Sequence, residues 1–243
     1  MALEMLSVVV PLHNEAGNVT PLVAEIRLAL AEIPHEILLV NDGSADGTLA
    51  ECQALPPASA GADSVRIISH RKACGQSVAL LTGIRAAAGE WVVTLDGDGQ
   101  NDPADIPALW QKAMAFDAAG SRVMVMGERT RRQDTVARRW MSRGANYIRE
   151  GLLHDGVRDT GCSLKIFRRA DFLALPFFDH IHRYLPALMR REGVMTHAFP
   201  VNHRPRQRGI SKYGFWDRLW VGIADLIGVW WLLQRRKLPE IME

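Results

Sequence analysis

The chain has 243 residues, 48% of them hydrophobic, with 29 basic residues against 27 acidic ones. That is enough for one large α/β domain with a full core and a C-terminal elaboration. The near-balanced charge argues against a generally nucleic-acid-binding surface, and no strand pattern interleaves aromatic and basic residues into a stacking platform. Cys52, Cys74 and Cys162 are odd in number, far apart and without CxxC spacing, which argues against a disulfide framework or a zinc site and fits a reducing cytosol.

The N-terminus, Met1 to Leu6, lacks a basic stretch ahead of its apolar residues, so no signal peptide is expected. Ser7 to Pro11 is a β-branched apolar run that predicts a strand, and Val19 to Ala31 has helical spacing. Glu36 to Val40 is apolar again, Thr48 to Leu55 predicts a short helix, and Pro56 to Asp63 reads as a loop. A strand over Ser64 to Ser69, a helix over Gly75 to Ala88 and a strand over Trp91 to Leu95 continue the alternation, and Val123 to Met126 adds another strand. Strands alternating with helices predict a mostly parallel, doubly wound sheet.

Each early strand ends in polar residues: Pro11-Leu-His-Asn-Glu15, Asn41-Asp-Gly-Ser-Ala-Asp-Gly-Thr48, and His70-Arg-Lys-Ala-Cys-Gly-Gln76. Taken singly these are ordinary: Asn14 is placed to cap the next helix, and Asn-Asp-Gly-Ser is a common turn composition. Asp96-Gly-Asp-Gly-Gln100 ends the Trp91 strand with two carboxylates and an amide. Ligands of open α/β sheets bind beyond the carboxyl ends of the strands, where paired carboxylates repel unless a cation lies between them. Oxygen ligands suit Mg2+ or Mn2+, which usually completes its shell with substrate phosphates. An EF-hand loop is excluded, because its sixth and twelfth positions would be Asn101 and Pro107.

In this order the motifs resemble the GT-A glycosyltransferases of family 2, in the branch of dolichol-phosphate mannose synthases and bacterial polyprenyl-phosphate glycosyltransferases. The resemblance runs from Ser7 to about Tyr213. It is carried by Pro11-x-x-Asn14-Glu15, Asn41-Asp-Gly-Ser-x-Asp46-x-Thr48, Gly75-x-x-x-Ala79-x-x-x-Gly83, the Asp96–Gln100 stretch, Gly127-Glu-Arg-Thr-Arg131, Asp159-Thr-Gly-Cys-Ser163 and Arg206-x-x-Gly209-x-Ser211-Lys212-Tyr213. It implies a GT-A (Rossmann-like) α/β fold, a mostly parallel sheet flanked by helices, with a C-terminal amphipathic helical extension.

The resemblance also implies roles. Pro11, Glu15 and Asp42 would line the base and ribose pocket, with Asp96 beside ribose and diphosphate. Asp98 and Gln100 would hold the metal, Mg2+ or Mn2+, whose work is to stabilise the departing nucleoside diphosphate. Arg129 and Arg131 would bind donor or acceptor phosphate, and Arg206, Ser211 and Lys212 would form a phosphate-binding lid. Asp159 is the family's usual catalytic base. A lipid phosphate, with a second pKa of about 6, is already nucleophilic, so Asp159 is a base only for a hydroxyl acceptor and otherwise orients acceptor or metal. Asp46 is better placed as a cap of the next helix. Two departures from the family pattern are Gly99, where a larger apolar residue is usual, and Asn101-Asp102-Pro103, which would reshape the pocket or add a carboxylate near the metal.

Residues 214–243 form a Trp-rich tail behind a catalytic domain of residues 1–213. Leu219 to Leu233 is apolar apart from Asp225, is bracketed by Arg218 and Arg235-Arg-Lys237, and is shorter than the roughly 20 residues of an ordinary span. Trp216, Trp220, Trp230 and Trp231 suit a bilayer interface and the flanking cations suit anionic head groups. The alternative is a helix buried on its own domain or a dimer mate. Some relatives carry transmembrane helices after this point, whereas this sequence stops at Glu243.

The expectation is an inverting transferase that moves a sugar from a nucleoside-diphosphate sugar to a polyprenyl phosphate. It would be cytoplasmic and peripheral at the inner face of the cell membrane, with a membrane surface or membrane protein as partner and a possible homo-oligomer. Transfer to a sugar hydroxyl, or a nonenzymatic nucleotide-sugar-binding module, are the alternatives.

Overall fold

The computed structural model describes residues 5–56, 63–129, 149–157, 159–205 and 215–235. In chain order these form β1 (Leu6–Leu12), α1 (Val19–Ala29), β2 (His35–Asp42), α2 (Thr48–Gln53), β3 (Asp63–His70), α3 (Gln76–Ala86), β4 (Trp91–Thr94), α4 (Ile106–Ala118) and β5 (Val123–Arg129). Then come β6 (Lys165–Arg168), α5 (Arg169–Leu173), α6 (Leu185–Arg191), β7 (Met195–Val201) and α7 (Phe215–Gln234), with 3-10 turns at Pro103–Asp105 and Ile181–Arg183.

The strands form one sheet in the order β3-β2-β1-β4-β6-β5-β7. β6 runs antiparallel to β4 and β5, while the other strand ladders are parallel. Inner parallel strands covered on both faces require near-continuous apolar runs, and Val8-Val9-Val10 and Ile37-Leu38-Leu39-Val40 supply them. Side chains alternate across the sheet, so Leu6, Val8, Val10 and Leu12 pack toward α1 and α4, while Val9 and Leu38 join the other core with Leu80 and Ile84 of α3. The strand order reverses between β1 and β4, and the crevice at such a switch point is where this architecture places ligands.

α3 lies tight on the sheet because Gly83 has no side chain. A Cβ there would stand 2.4 Å from Val9 Cγ1 and 3.0 Å from Val40 Cγ2. Gly83→Ala is therefore expected to cost about 1–3 kcal/mol despite its gain in helix propensity, as a urea titration would show.

α7 packs one face on the second core through Val229, Leu226 and Leu233. Tyr184 Oη donates to the Gly222 carbonyl (3.1 Å), Arg191 Nε donates to the Leu232 carbonyl (3.2 Å), and His180 Nδ1 meets Asp225 Oδ2 at 3.0 Å. Asp225, the lone charge in the apolar run, thus anchors the helix to its own domain. The opposite face leaves Ile223, Ile227, Trp230 and Trp231 exposed at helical spacing. No helix among the described residues is long and apolar enough to cross a membrane. The expected domain boundary at 213/214 lies outside the described residues.

Candidate active site

The loop after β4 crosses the end of β1 at close range. A Cβ on Gly97 would be 2.4 Å from Leu12 Cδ2 and 3.1 Å from the Pro11 carbonyl oxygen, so only glycine admits this approach. Pro11 and Glu15 are thereby brought beside Asp96 and Asp98. Gly99 has φ +72°, a left-handed conformation that explains why no larger residue stands there.

Asp96 is fixed by its neighbours: Gln76 Nε2 donates to its Oδ1 (2.7 Å), and its backbone N–H reaches Ser163 Oγ (3.2 Å) and Asn101 Oδ1 (3.4 Å). Ser163 Oγ in turn donates to Asn101 Oδ1 (2.6 Å). Burial first, and the negative charge of Asp98 second, push the Asp96 carboxyl up to about 6 against the pull of Ser163 and Lys165. Asp98 is buried and accepts from the Gln100 backbone N–H at 3.1 Å. The three side chains offer carboxylate and amide oxygens alone, a hard donor set whose crowded negative charge fits Mg2+ or Mn2+.

Asp102 is engaged away from the Asp98 side chain in this arrangement. Its Oδ1 accepts from the Ala104 backbone N–H (3.0 Å), which caps the Pro103–Asp105 turn, and meets Arg204 Nη2 at 2.7 Å. Asn14 also departs from expectation, since it does not cap α1. It sits at φ 56°, receives the Ala45 backbone N–H on Oδ1 (2.7 Å), and donates its own N–H to Ser44 Oγ (3.0 Å), so it joins the β1 and β2 loops. Asp46 accepts from the Thr48 backbone N–H (3.0 Å) one position before Gly47, the N-cap residue of α2, so it braces the helix start rather than capping it.

Asp42 is buried at the end of β2 and accepts from the backbone N–H groups of Cys74 and Gly75, both at 2.8 Å. His70 Nδ1 meets the same carboxylate at 2.7 Å. Asp42, His70 and Cys74 place possible metal-ligand atoms within 4.8 Å of one another. Three donors engage the carboxylate, which thereby holds the 71–75 loop against the β2 edge.

Arg129 is the last residue of β5 rather than a residue beyond it. Its Nε and Nη2 donate to Asp159 Oδ2 and Oδ1, both at 2.7 Å, and its backbone N–H reaches Oδ2 at 3.2 Å. Two residues proposed for separate tasks thus form one bidentate pair. Arg131, Arg206, Ser211 and Lys212 lie outside the described residues.

A pocket opens beside Asp96, walled by Gln76, Ser163, Lys165, His182 and Arg183. Ser77 Oγ and His182 Nδ1 are 2.8 Å apart. Sequence reasoning missed Lys165, His182 and Arg183, and named Gln76 and Asn101 only within longer stretches, without a role of their own. Lys165 had one available signal, a cation inside the apolar stretch Leu164-Lys-Ile-Phe167; His182 and Arg183 had none.

A doubly wound sheet with paired carboxylates at its switch point is the arrangement of a GT-A type of fold. The family model described as Glycosyl transferase family 2 matches residues 7–175, and the chain belongs to that family. Dodecaprenyl-phosphate galacturonate synthase of Rhizobium johnstonii is 33% identical over 96% of this chain and 69% of its own length. Undecaprenyl-phosphate 4-deoxy-4-formamido-L-arabinose transferase of Pseudomonas aeruginosa is 33% identical over 87% of this chain and 61% of its own, so the chain spans under two thirds of that relative. Among solved structures, mannosyl-3-phosphoglycerate synthase from Rubrobacter xylanophilus superposes with a TM-score of 0.71 at 16% identity, covering 99% of this chain and 77% of the other. Glucosyl-3-phosphoglycerate synthase from Mycobacterium tuberculosis, in complex with Mn2+, UDP-glucose and glycerol 3-phosphate, gives 0.61 at 21% identity over 98% and 82%. These two likenesses establish the GT-A type of fold.

Proposed function

We propose that the chain transfers a sugar from a nucleoside-diphosphate donor to a polyprenyl phosphate at a membrane surface. The observation that carries this reading is the meeting of Asp96, Asp98 and Gln100 with the β1 end at the switch point, in a chain whose 33%-identical relatives are named for dodecaprenyl- and undecaprenyl-phosphate acceptors. Asp98 and Gln100 would hold Mg2+ or Mn2+, which supplies charge neutralisation at the leaving diphosphate. Pro11, Glu15 and Asp42 line the place for the nucleoside, and Asp96 is held by Gln76 to face the ribose and diphosphate.

The acceptor oxygen forms its bond to the anomeric carbon as the bond from that carbon to the β-phosphate oxygen breaks. The electron pair leaves with the nucleoside diphosphate, and the configuration inverts. A phosphate dianion loses no proton in this step. The Arg129–Asp159 pair supports a phosphate acceptor, because the fork of Arg129 occupies both carboxylate oxygens and suits Asp159 to positioning Arg129 rather than to taking a proton. Accordingly Asp159→Asn should leave the break in the pH profile of kcat/KM near the acceptor's own second pKa, about 6. A break that vanished in the variant would instead make Asp159 the base and favour a hydroxyl acceptor.

The exposed stripe of α7 is the surface that would meet lipid. Ile227 is 58% and Trp231 51% exposed, and the Arg235 guanidinium lies 5.4 Å from the centre of the Trp231 ring. Trp at the interface with cations beside it fits an anionic bilayer. The testing experiment is transfer by the purified chain from UDP- and GDP-sugars to a short polyprenyl phosphate with Mn2+ or Mg2+, beside sedimentation with phosphatidylglycerol vesicles. Metal-dependent labelling of the lipid is expected, with vesicle binding lost on replacing Trp230 and Trp231 by serine. Donor binding without lipid labelling would sink the acceptor assignment. The relatives' names carry different sugars, one a uronate and one a formamido-arabinose, and so leave the sugar open.

A further inference from the structure

The pocket beside Asp96 is lined by two basic side chains, Lys165 and Arg183, and one carboxylate. Lys165 is 3% exposed, at the start of β6. Its ammonium donates to the carbonyls of Thr160 (3.4 Å) and Cys162, and it forms no ion pair with a described residue. An ammonium has three donors, so one remains for the pocket. Burial pushes the Lys165 ammonium down against the pull of Cys162, Asp96 and Asp159, and a buried cation held without an ion pair is costly, which makes Lys165 a poor choice for packing alone. Arg183 also lines the pocket, and among the described residues its side chain has neither a hydrogen bond nor an ion pair. His182 adds no charge, because burial first and the neighbouring Arg183 and Lys165 next push it down to about 3. Asp96 is the single carboxylate in the lining.

Two basic side chains thus line the pocket beside one carboxylate, with Asp159 near enough for its charge to act on Lys165. Either a carboxylate on the transferred sugar or the phosphate of the acceptor would bring an anion here. The two oxygens of a sugar carboxylate match the planar fork of Arg183 together with the remaining N–H of Lys165. The place also suits the sugar, since Asp96 stands between this pocket and the metal loop.

We propose that this pocket takes the transferred sugar and that Lys165 and Arg183 bind a carboxylate on it, so that the donor is a nucleoside-diphosphate hexuronate. The inference rests on the transferase reading above and adds the class of sugar to it.

The test compares UDP-glucuronate and UDP-galacturonate with UDP-glucose and UDP-galactose, and GDP-mannuronate with GDP-mannose. Transfer to polyprenyl phosphate is measured together with donor binding by calorimetry in the absence of acceptor. At least one hexuronate should exceed its parent hexose about 100-fold or more in kcat/KM, since a buried polar site rejects an analogue that leaves it unpaired. The same preference should appear in donor binding. Lys165→Met and Arg183→Gln should each lower that ratio by about tenfold to 100-fold. Arg183 is the less buried of the two, so its variant keeps the test alive if the Lys165 replacement fails to fold.

Equal or better use of the parent hexose overturns the proposal. So does an unchanged ratio accompanied by a higher KM for polyprenyl phosphate with every donor, which would assign the cations to the acceptor. Absence of both donor binding and transfer throughout the panel would overturn the transferase reading itself, a failure distinct from transfer of a neutral sugar.

Discussion

Replacing Asp98 by alanine is expected to lower sugar transfer by about 1,000-fold or more, the loss typical when preorganised stabilisation of a developing charge is removed. Asp98 is buried, ordered by the Gln100 backbone N–H, and close enough to Asp96 for its charge to help raise that carboxyl to about 6. With no carboxylate at 98, Gln100 and Asp96 make a weaker oxygen set, and Mn2+ affinity measured by calorimetry should fall with activity. Thermal stability without metal should not fall, and relief of the like-charge contact favours a small gain. Asp102→Ala is the matched comparison. It removes a neighbouring carboxylate that Arg204 and the Ala104 backbone N–H occupy, and should cost transfer little. Metal-dependent transfer by Asp98→Ala within tenfold of the parent would remove the metal loop from the mechanism.

The largest expected loss of stability lies at the other end of the sheet. Glu36 of β2 is 2% exposed and gathers four donors: Ser7 Oγ (2.6 Å), the Ala88 backbone N–H (2.6 Å), Arg66 Nη1 (3.1 Å) and the Gly89 backbone N–H (3.4 Å). It thereby ties β1, β3 and the turn after α3 to one carboxylate. Glu36→Ala leaves those donors facing a void and should cost about 3–5 kcal/mol in urea unfolding. Glu36→Gln retains one acceptor oxygen and should cost less. The half-exposed Arg66 contributes little to either figure.

Burial alone would raise the Glu36 pKa, but the donors from Ser7, Ala88, Arg66 and Gly89 outweigh it and hold the carboxyl below its ordinary 4.5. A depressed carboxyl contributes stability that is complete above the unfolded value and is lost as pH falls through the folded one. Acidification below 4.5 should therefore destabilise the parent protein more steeply than Glu36→Gln. Parallel acid-unfolding curves for the two proteins would sink this account.

Much of the fold was legible because its signals are local. The apolar runs of β1 and β2 and the Asp96–Gln100 stretch announce strands and a strand-end site, and the observed boundaries shift by only a few residues. Asn14 was misread because an Asn before a helix is a good cap in isolation, whereas here the β2 loop competes for its side chain through Ser44 and Ala45. The Arg129–Asp159 pair was hidden because ion pairing between residues thirty positions apart depends on β5 and β6 lying side by side. Lys165 and Arg183 were hidden for a related reason, since their meeting depends on how the 3-10 turn at Ile181–Arg183 folds back over the sheet.

The reversal of β6 also bears on how this site can change. Each parallel strand turns its carboxyl end toward the crevice, so on the proposed function the nucleoside and metal contacts would come from β1, β2 and β4 and their trailing loops. β6 runs the other way and presents its beginning, which sets Ser163 and Lys165 beside Asp96 and lets Ser163 brace the loop through Asp96 and Asn101. On the proposed function, the leaving group and the transferred sugar meet different stretches of chain. A lineage, or an engineer, can vary Lys165 without rewriting the metal loop, provided that Ser163 keeps its bonds to Asp96 and Asn101.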